Sequence, residues 1–400
     1  MRKQIGPYEL VARLGSGPNG DVHLAHFSSR ALAEHGGEDA VLAVRIYKPE
    51  IALNTEFMTQ LWAERGSALA FQHENAVRFV DIGNDREEIF VAMELVDGQS
   101  LGAVLHRMAL ERKKLSESLS LWIAVQVAEA LYLAHQTPWQ AGGDSGIVHF
   151  GLSPSTIVIT YDGQVRVRSL GTGRSHLLLS PSHVRLAYRA PELIEGRGFD
   201  RRADIYSLGV TLYDVLSGRR AFKRRTVEDT QAAVLEHFVE PLEDARPDLP
   251  SAIVDLIRAM IARSRAERPK TLGDVIPWLK AELQADPADL QKELRAIMSG
   301  HFEAEERSQN KRVDAILRPR ADSKKPASSP MTLKLERPSD EIVIEEPEEE
   351  SSFHEELVLA RPVDFITTPP SAPTPFKIVE PQAPALEPTT DISQHPDGFG

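Results

Sequence analysis

The sequence predicts an α+β protein in two unequal parts, a small β-rich segment and a larger helical one, followed by a long tail outside the fold. Three observations carry this reading. Over most of the first ninety-odd positions apolar residues follow strand patterns, and from about residue 100 onward they recur at helical spacing. The last hundred residues then change composition: residues 301–400 hold 11 Lys or Arg, 20 Asp or Glu and 14 of the chain's 27 prolines. Such a stretch buries too little apolar surface to offset about 1–2 kcal/mol of backbone entropy per ordered residue, so it is expected to be largely disordered. The folded part is expected to end near residue 300.

In the first part, "YELVARLG" and "DVHLAHF" alternate around a glycine-rich turn, "AVLAVRIYK" is rich in β-formers, and "IFVAMELV" follows a charged turn at "GNDREE". Between the last two lies "NTEFMTQLWAERGSALAFQ", where Phe57, Leu61, Ala68 and Phe71 fall on or near one helical face, with Asn54 or Thr55 as N-cap. "SSRALAEHGGED" (28–39) reads as an extended loop. In the second part, "SESLSLWIAVQVAEALYLAHQ" is a long helix, "RADIYSLGVTLYDVLSG" an apolar one closed by Gly218, and "SAIVDLIRAMIARS" a third with Leu, Ile and Met on one face. "TIVITYDGQVRVR" reads as two short strands joined by Asp162-Gly163, a dipeptide suited to a tight hairpin turn. Residues 286–299 form a last helix, with Asp286 as N-cap, Pro287 at its first position and Gly300 past its end.

Composition excludes several function classes. The chain has no cysteine, which removes disulfides, thiolate metal sites and cysteine nucleophiles and fits a reducing compartment. Its net charge of −13 argues against general affinity for nucleic acid or anionic membranes. Of that total, −9 falls in residues 301–400 and only −4 in the first 300. The N-terminus lacks an apolar leader, and Gln126 and Glu129 interrupt the most apolar stretch. A soluble, cytoplasmic protein without membrane insertion is expected.

"LGSGPNGDV" places Gly15, Gly17, Gly20 and Val22 between two strands, where glycine lets backbone N–H groups approach a phosphate. It opens a strand instead of a helix, which disfavours a dinucleotide-binding fold. With "LAVR", a helix bearing Glu64, "VHFGLSPST", "RSLG", "APE", "DIYSLG" and "ERP" following in order, the chain resembles the eukaryotic-like (Hanks-type) protein serine/threonine kinase family from about residue 8 to 282. The resemblance implies a two-lobed protein-kinase-like fold, with the small lobe at about 8–96 and the large one at about 97–282, then a helix at 283–300 and an acidic, proline-rich tail.

Departures from the family pattern concentrate on the chemistry. Arg45 stands where the family has the phosphate-contacting lysine that pairs with the helix glutamate, here Glu64, and Lys48 faces away on the same strand. "HFGLSPST" puts Gly151 where the family's aspartate accepts the hydroxyl proton, Ser153 at a lysine place and Thr156 at the asparagine that holds a metal. Ser169 replaces the metal-binding aspartate. Asp162, roughly 20 Å from Ser169 along the hairpin, is a poor stand-in, and Asp144 is read as a solvated turn residue. Phe150 occupies the place of an arginine that binds activation-segment phosphate, leaving Thr172, Ser175, Ser180 and Ser182 without that receptor.

Scaffold positions follow the family instead. His149 and Leu170 fit its hydrophobic spine, Asp204 its buried anchor of the catalytic loop, and Glu192 with Arg268 its buried ion pair. Met93 stands at the gatekeeper place, the backbone of Glu94 to Val96 is positioned to bond an adenine, and Val22 and Ala43 to sandwich it. Together the resemblance and its departures imply a catalytically inactive homologue, hence no enzyme, acting as a signalling scaffold or regulator. Its partners would be proteins, such as an active kinase or its substrate, and its pocket is one that ATP could enter without Mg²⁺. Two alternatives stand beside this expectation: a weak or unconventional protein kinase-type phosphotransferase using ATP, and an interaction protein working through its tail.

Overall fold

A computed structural model of the chain describes residues 3–28, 41–139, 146–179 and 183–317. The small lobe is built on strands β1 (Gln4–Ile5), β2 (Tyr8–Gly17), β3 (Gly20–Phe27) and β4 (Val41–Tyr47). Helices α1 (Pro49–Ala52) and α2 (Thr55–Ala70) follow, then β5 (Phe79–Asp85) and β6 (Glu88–Glu94). All six strands pair antiparallel in one sheet, in the order β1-β2-β3-β4-β6-β5. One face gathers Tyr8, Leu10, Val44 and Phe90, and the other packs Phe57 and Leu61 of α2 on Ile82 and Val91. Asn54 accepts the Phe57 N–H at 3.0 Å, which fixes where α2 begins. The strand alternation puts Arg45 on the same side as Tyr47, toward α2.

The β2–β3 turn needs its glycine. Gly20 has φ 152°, and a Cβ there would lie 2.1 Å from the Ile46 carbonyl oxygen. The two edge strands, β1 and β5, and the short α1 were not anticipated. The charged turn is also narrower than "GNDREE": residues up to Asp85 belong to β5 and Glu88 opens β6, so only Arg86 and Glu87 turn, with Arg86 at φ 56°.

The large lobe begins with β7 (Gly98–Ser100), α3 (Leu101–Leu110) and α4 (Glu117–Gln136), the two helices capped by Ser100 and Ser116. Strands β8 (Ile157–Thr160) and β9 (Val165–Val167) join β7 in a three-stranded sheet, and Gly163 makes their turn at φ 84°. Short helices α5 (Gly173–Leu177), α6 (His183–Leu186) and α7 (Pro191–Ile194) lead to α8 (Arg202–Ser217), which ends at Gly218 with φ 69°. After it come α9 (Val227–Leu235), α10 (Leu242–Ala245), α11 (Ser251–Met260), α12 (Leu272–Ala281) and α13 (Pro287–Leu317). Helices α4 and α8 form the centre of the core, with α12 packed on α4, α11 on α8, and Leu131, Leu208 and Leu212 buried within it.

Helix α13 corrects the expected end of the fold. Asp286 accepts the Ala288 N–H as predicted, but Gly300 lies inside the helix, which runs to Leu317 across a kink at Phe302. The reason is a buried stripe at a spacing of four: Leu290, Leu294, Met298 and Phe302 all pack into the large-lobe core. Arg107 of α3 holds the far side, stacking 4.7 Å from the Phe302 ring centroid and donating to the His301 carbonyl and the Glu305 carboxylate. The 28–39 loop beyond Ser28, Asp144 and the tail from residue 318 lie outside the described residues. No helix among the described residues is long and apolar enough to cross a membrane.

Candidate active site

The loop 149–156 hangs from one buried carboxylate. Asp204, at the start of α8 and fully buried, accepts N–H bonds from His149 and Phe150, both at 2.8 Å, and one from His135 Nε2 at 2.9 Å. Burial pushes its acidity toward the neutral form, but the bond and charge of His135 and the His149 contacts prevail and hold it below the usual carboxylate range. Phe150 sits at φ 55°, a conformation a bulky side chain seldom adopts, and the Asp204 bond to its N–H holds it there.

His149 is a structural group. Its Nε2 faces the Arg168 carbonyl at 2.8 Å and so donates, while Nδ1 receives the Gly151 N–H at 3.1 Å. Those two bonds fix a neutral ring, and burial lowers its basicity to match. The ring thus ties the loop to the strand that delivers Ser169 and the buried Leu170. Lower in the lobe, Arg268 donates to both oxygens of Glu192 at 2.7 and 2.9 Å, a buried bidentate pair. His149, Leu170, Glu192, Asp204 and Arg268 are all buried.

The reactive positions are arranged differently. At Gly151 an added Cβ would meet only ordinary contacts, 3.8 Å from His149 Nδ1, so the place of the missing carboxylate is open. Thr156 Oγ1 receives the Ser153 N–H and donates to the Ser153 carbonyl, both at 3.0 Å, closing the loop on itself. Ser153 Oγ bonds Ser155 Oγ at 2.8 Å. Ser169 has φ 64°. These neutral hydroxyls, one of them committed to the backbone, do not fit Mg²⁺, a hard cation that takes carboxylate oxygens. Among the described residues no cluster of three or more His, Asp or Glu could hold a metal ion. Asp162 stays in its turn, bonded to Thr160 and Gln164.

On the small-lobe side, Gly15 pairs with Val22 and Gly17 with Gly20 across the glycine-rich turn, and Ala43 lies beside Leu24 and Met93 in the sheet. The Glu94 side chain is pinned by the Arg78 N–H at 2.8 Å and by Arg166. Among the described residues the N–H and C=O of Val96 carry no bond, and they form an edge at the hinge open to a ligand.

The expected pair of Arg45 with Glu64 does not form. Instead Glu64 accepts the backbone N–H groups of Arg174 and Ser175, at 2.7 and 2.8 Å, from the first turn of α5. Burial raises its pKa to about 7, against the pull of those two bonds. Arg45 lies by Tyr47 and His176. His176 donates Nδ1–H to the Thr172 carbonyl at 2.6 Å, and burial, reinforced by Arg45, drives its pKa down to about 3. Thr172 and Ser175 are buried under this arrangement, while Ser180 and Ser182 lie outside the described residues.

Where the two lobes meet at the loop, a cavity of about 50 Å³ is bounded by Pro18 and Asn19 of the glycine-rich turn, Gly151, Leu179, Arg185 and Arg189. That is the room of one or two waters. The sequence reading missed this lining, together with the packing of Leu179 against the small-lobe core. The run Tyr188-Arg189-Ala190-Pro191-Glu192 offered the one available signal, a charged residue directly before the recognised "APE".

Comparison with known proteins fits this geometry. The family described as "Protein kinase domain" matches residues 8–275. The chain is similar to the tyrosine-protein kinase MasK of Myxococcus xanthus, 28% identical over 324 residues, which are 79% of this chain and 49% of that one. It is also similar to the serine/threonine-protein kinase PrkC of Bacillus subtilis, 25% identical over 293 residues, 70% of this chain and 41% of the relative. The chain thus spans about half or less of the length of these relatives. The crystal structure of the PknI kinase domain from Mycobacterium tuberculosis shares the fold, with a TM-score of 0.55, 24% identity, and coverage of 70% of this chain and 97% of that one. The expectation that the chain is no enzyme is overturned here, since relatives matched over 79% and 70% of this chain are named as protein kinases.

Proposed function

Because the chain belongs to the protein kinase family, whose domain it carries over residues 8–275, we propose that it is an unconventional phosphotransferase, moving the γ-phosphoryl group of ATP slowly onto a protein hydroxyl. The observation that carries this reading is the brace at Asp204, whose 2.8 Å bonds to His149 and Phe150 hold the loop in a defined shape with space at Gly151. Phosphoryl transfer passes through a loose transition state, so positioning and charge contribute most of the acceleration and a general base contributes less. In the step itself the acceptor oxygen bonds to phosphorus as the bond to the β–γ bridging oxygen breaks, and ADP leaves. Gly151 takes no proton, so the hydroxyl proton passes to a phosphoryl oxygen or to water.

The free edge of Val96 would receive the adenine, and the glycine-rich turn would lie over the phosphates. Since the residues at Thr156 and Ser169 do not fit Mg²⁺, no step is assigned to a metal held by them. Incubating the full chain with γ-labelled ATP and a protein acceptor tests the proposal. Label should reach the acceptor in proportion to the chain, and excess unlabelled ATP present from the start should suppress it; acceptor label indistinguishable from a chain-free control would refute it.

A further inference from the structure

Phe150 stands where the kinase family has the arginine that receives a phosphate from the segment after Ser169, and an apolar ring cannot take that role. A cation reaches the same place from the opposite side. The guanidinium of Arg174, in the first turn of α5, lies 5.6 Å from the Phe150 ring centroid and 4.6 Å from that of Trp139. Phe150 is buried and held by two further contacts: its N–H donates to Asp204 at 2.8 Å, and its ring meets that of Phe199 edge to face at 5.1 Å. Trp139 is kept near the loop by its neighbour Pro138, which bridges to Gly146. A cation over an aromatic face is attracted by the ring quadrupole, more strongly as water is removed. The backbone beside Arg174 is equally close to its surroundings. Gly173 runs so near the loop that a Cβ there would lie 2.4 Å from the carbonyl oxygens of Val148 and His149, while the N–H groups of Arg174 and Ser175 donate to Glu64. Glu64 also attracts the Arg174 guanidinium.

We propose that Arg174 is a positioning residue whose stack on Phe150 and Trp139 latches residues 172–179 onto the loop 149–156 without any phosphate. The family's arrangement is reversed: there the loop supplies the cation and the segment carries the phosphate, whereas here the segment supplies the cation and the loop an aromatic receptor. A phosphate has to be added, while a cation and two rings are present in every copy of the chain, so the segment is held as soon as the protein folds. His176 and Leu179 of that segment line the cavity beside Gly151, so the latch also fixes one wall of the cleft. It operates whether or not the cleft transfers phosphate.

The test follows amide exchange of residues 172–179 in the full chain after phosphatase treatment, with intact mass verifying that no phosphate remains. The native segment should be protected. Phe150→Leu and Trp139→Leu each remove one ring and leave the Arg174 side chain intact, and each should speed exchange about tenfold while α4 and α8 stay protected. Arg174→Met keeps length and apolar packing but not charge, and should exchange as fast as Phe150→Leu. Arg174→Lys and Phe150→Tyr, which retain a cation and a ring, should restore most of the protection. The double variant Phe150→Leu with Arg174→Met should be no faster than either single variant, since both remove one contact. Arg174→Met should also shift the tryptophan emission, and the shift should vanish in a Trp139→Phe background. Protection that appears only in phosphorylated protein, Arg174→Met protected like the native chain, or additive effects in the double variant would overturn the proposal. Should Phe150→Leu fail to fold, the Arg174 variants and the Trp139 emission decide it alone.

Discussion

Replacing Gly151 with aspartate returns a carboxylate to the position from which a hydroxyl proton is taken in the kinase family. The structure makes room for it: a Cβ at Gly151 would be 3.8 Å from His149 Nδ1, and the backbone there is not in the left-handed region. The loop should hold its shape, since Asp204 and His149 fix it through the backbone of residues 149–151. A positioned general base contributes ~10²–10⁴ in rate. With Thr156 and Ser169 unchanged the lower end applies, so Gly151→Asp should raise phosphoryl transfer about 10²-fold, equivalent to about 2.7 kcal/mol of barrier. The assay is single-turnover label transfer from γ-labelled ATP, with melting curves to verify that the loop has not collapsed. A folded Gly151→Asp protein that transfers label no faster than the native chain would refute the reasoning.

Other consequences concern the frame. Asp204→Ala would leave the N–H groups of His149 and Phe150 buried without an acceptor, and should cost about 3–5 kcal/mol in chemical denaturation. Glu64 has its ordinary pKa near 4.5 raised to about 7 in the folded chain, so its contribution to stability is full below pH 4.5 and is lost as pH rises through 7. The difference between native and Glu64→Gln stability curves should therefore fall across that window, by about 3 kcal/mol at most; a pH-independent difference would contradict it. Arg107→Ala removes the stack on Phe302 and two bonds to α13, and should speed amide exchange in residues 298–310 while leaving α4 protected.

Much of this frame was legible because particular residue types are demanded by particular places. Asn54 caps α2, Gly218 takes the left-handed end of α8, Asp162-Gly163 turns a hairpin, and Asp204, Glu192 and Arg268 satisfy polar groups that nothing apolar could. The rest depends on contacts without a residue signature. Glu64 is met by backbone N–H groups of residues 174 and 175, which any sequence there would supply, so the separation of Arg45 from Glu64 has no trace in the residues themselves. Gly300 misled for a related reason: a local stop signal was outweighed by Phe302, which extends the buried stripe of α13 one turn further.

The cleft's capacity for chemistry is tested most directly by counting products. Mass spectrometry of a reaction containing the full chain, ATP and a protein acceptor should find one phosphorylated hydroxyl for each ADP formed, slowly in the native chain and faster in Gly151→Asp. ATP left intact, or ADP accompanied only by free phosphate, in both proteins would contradict the account.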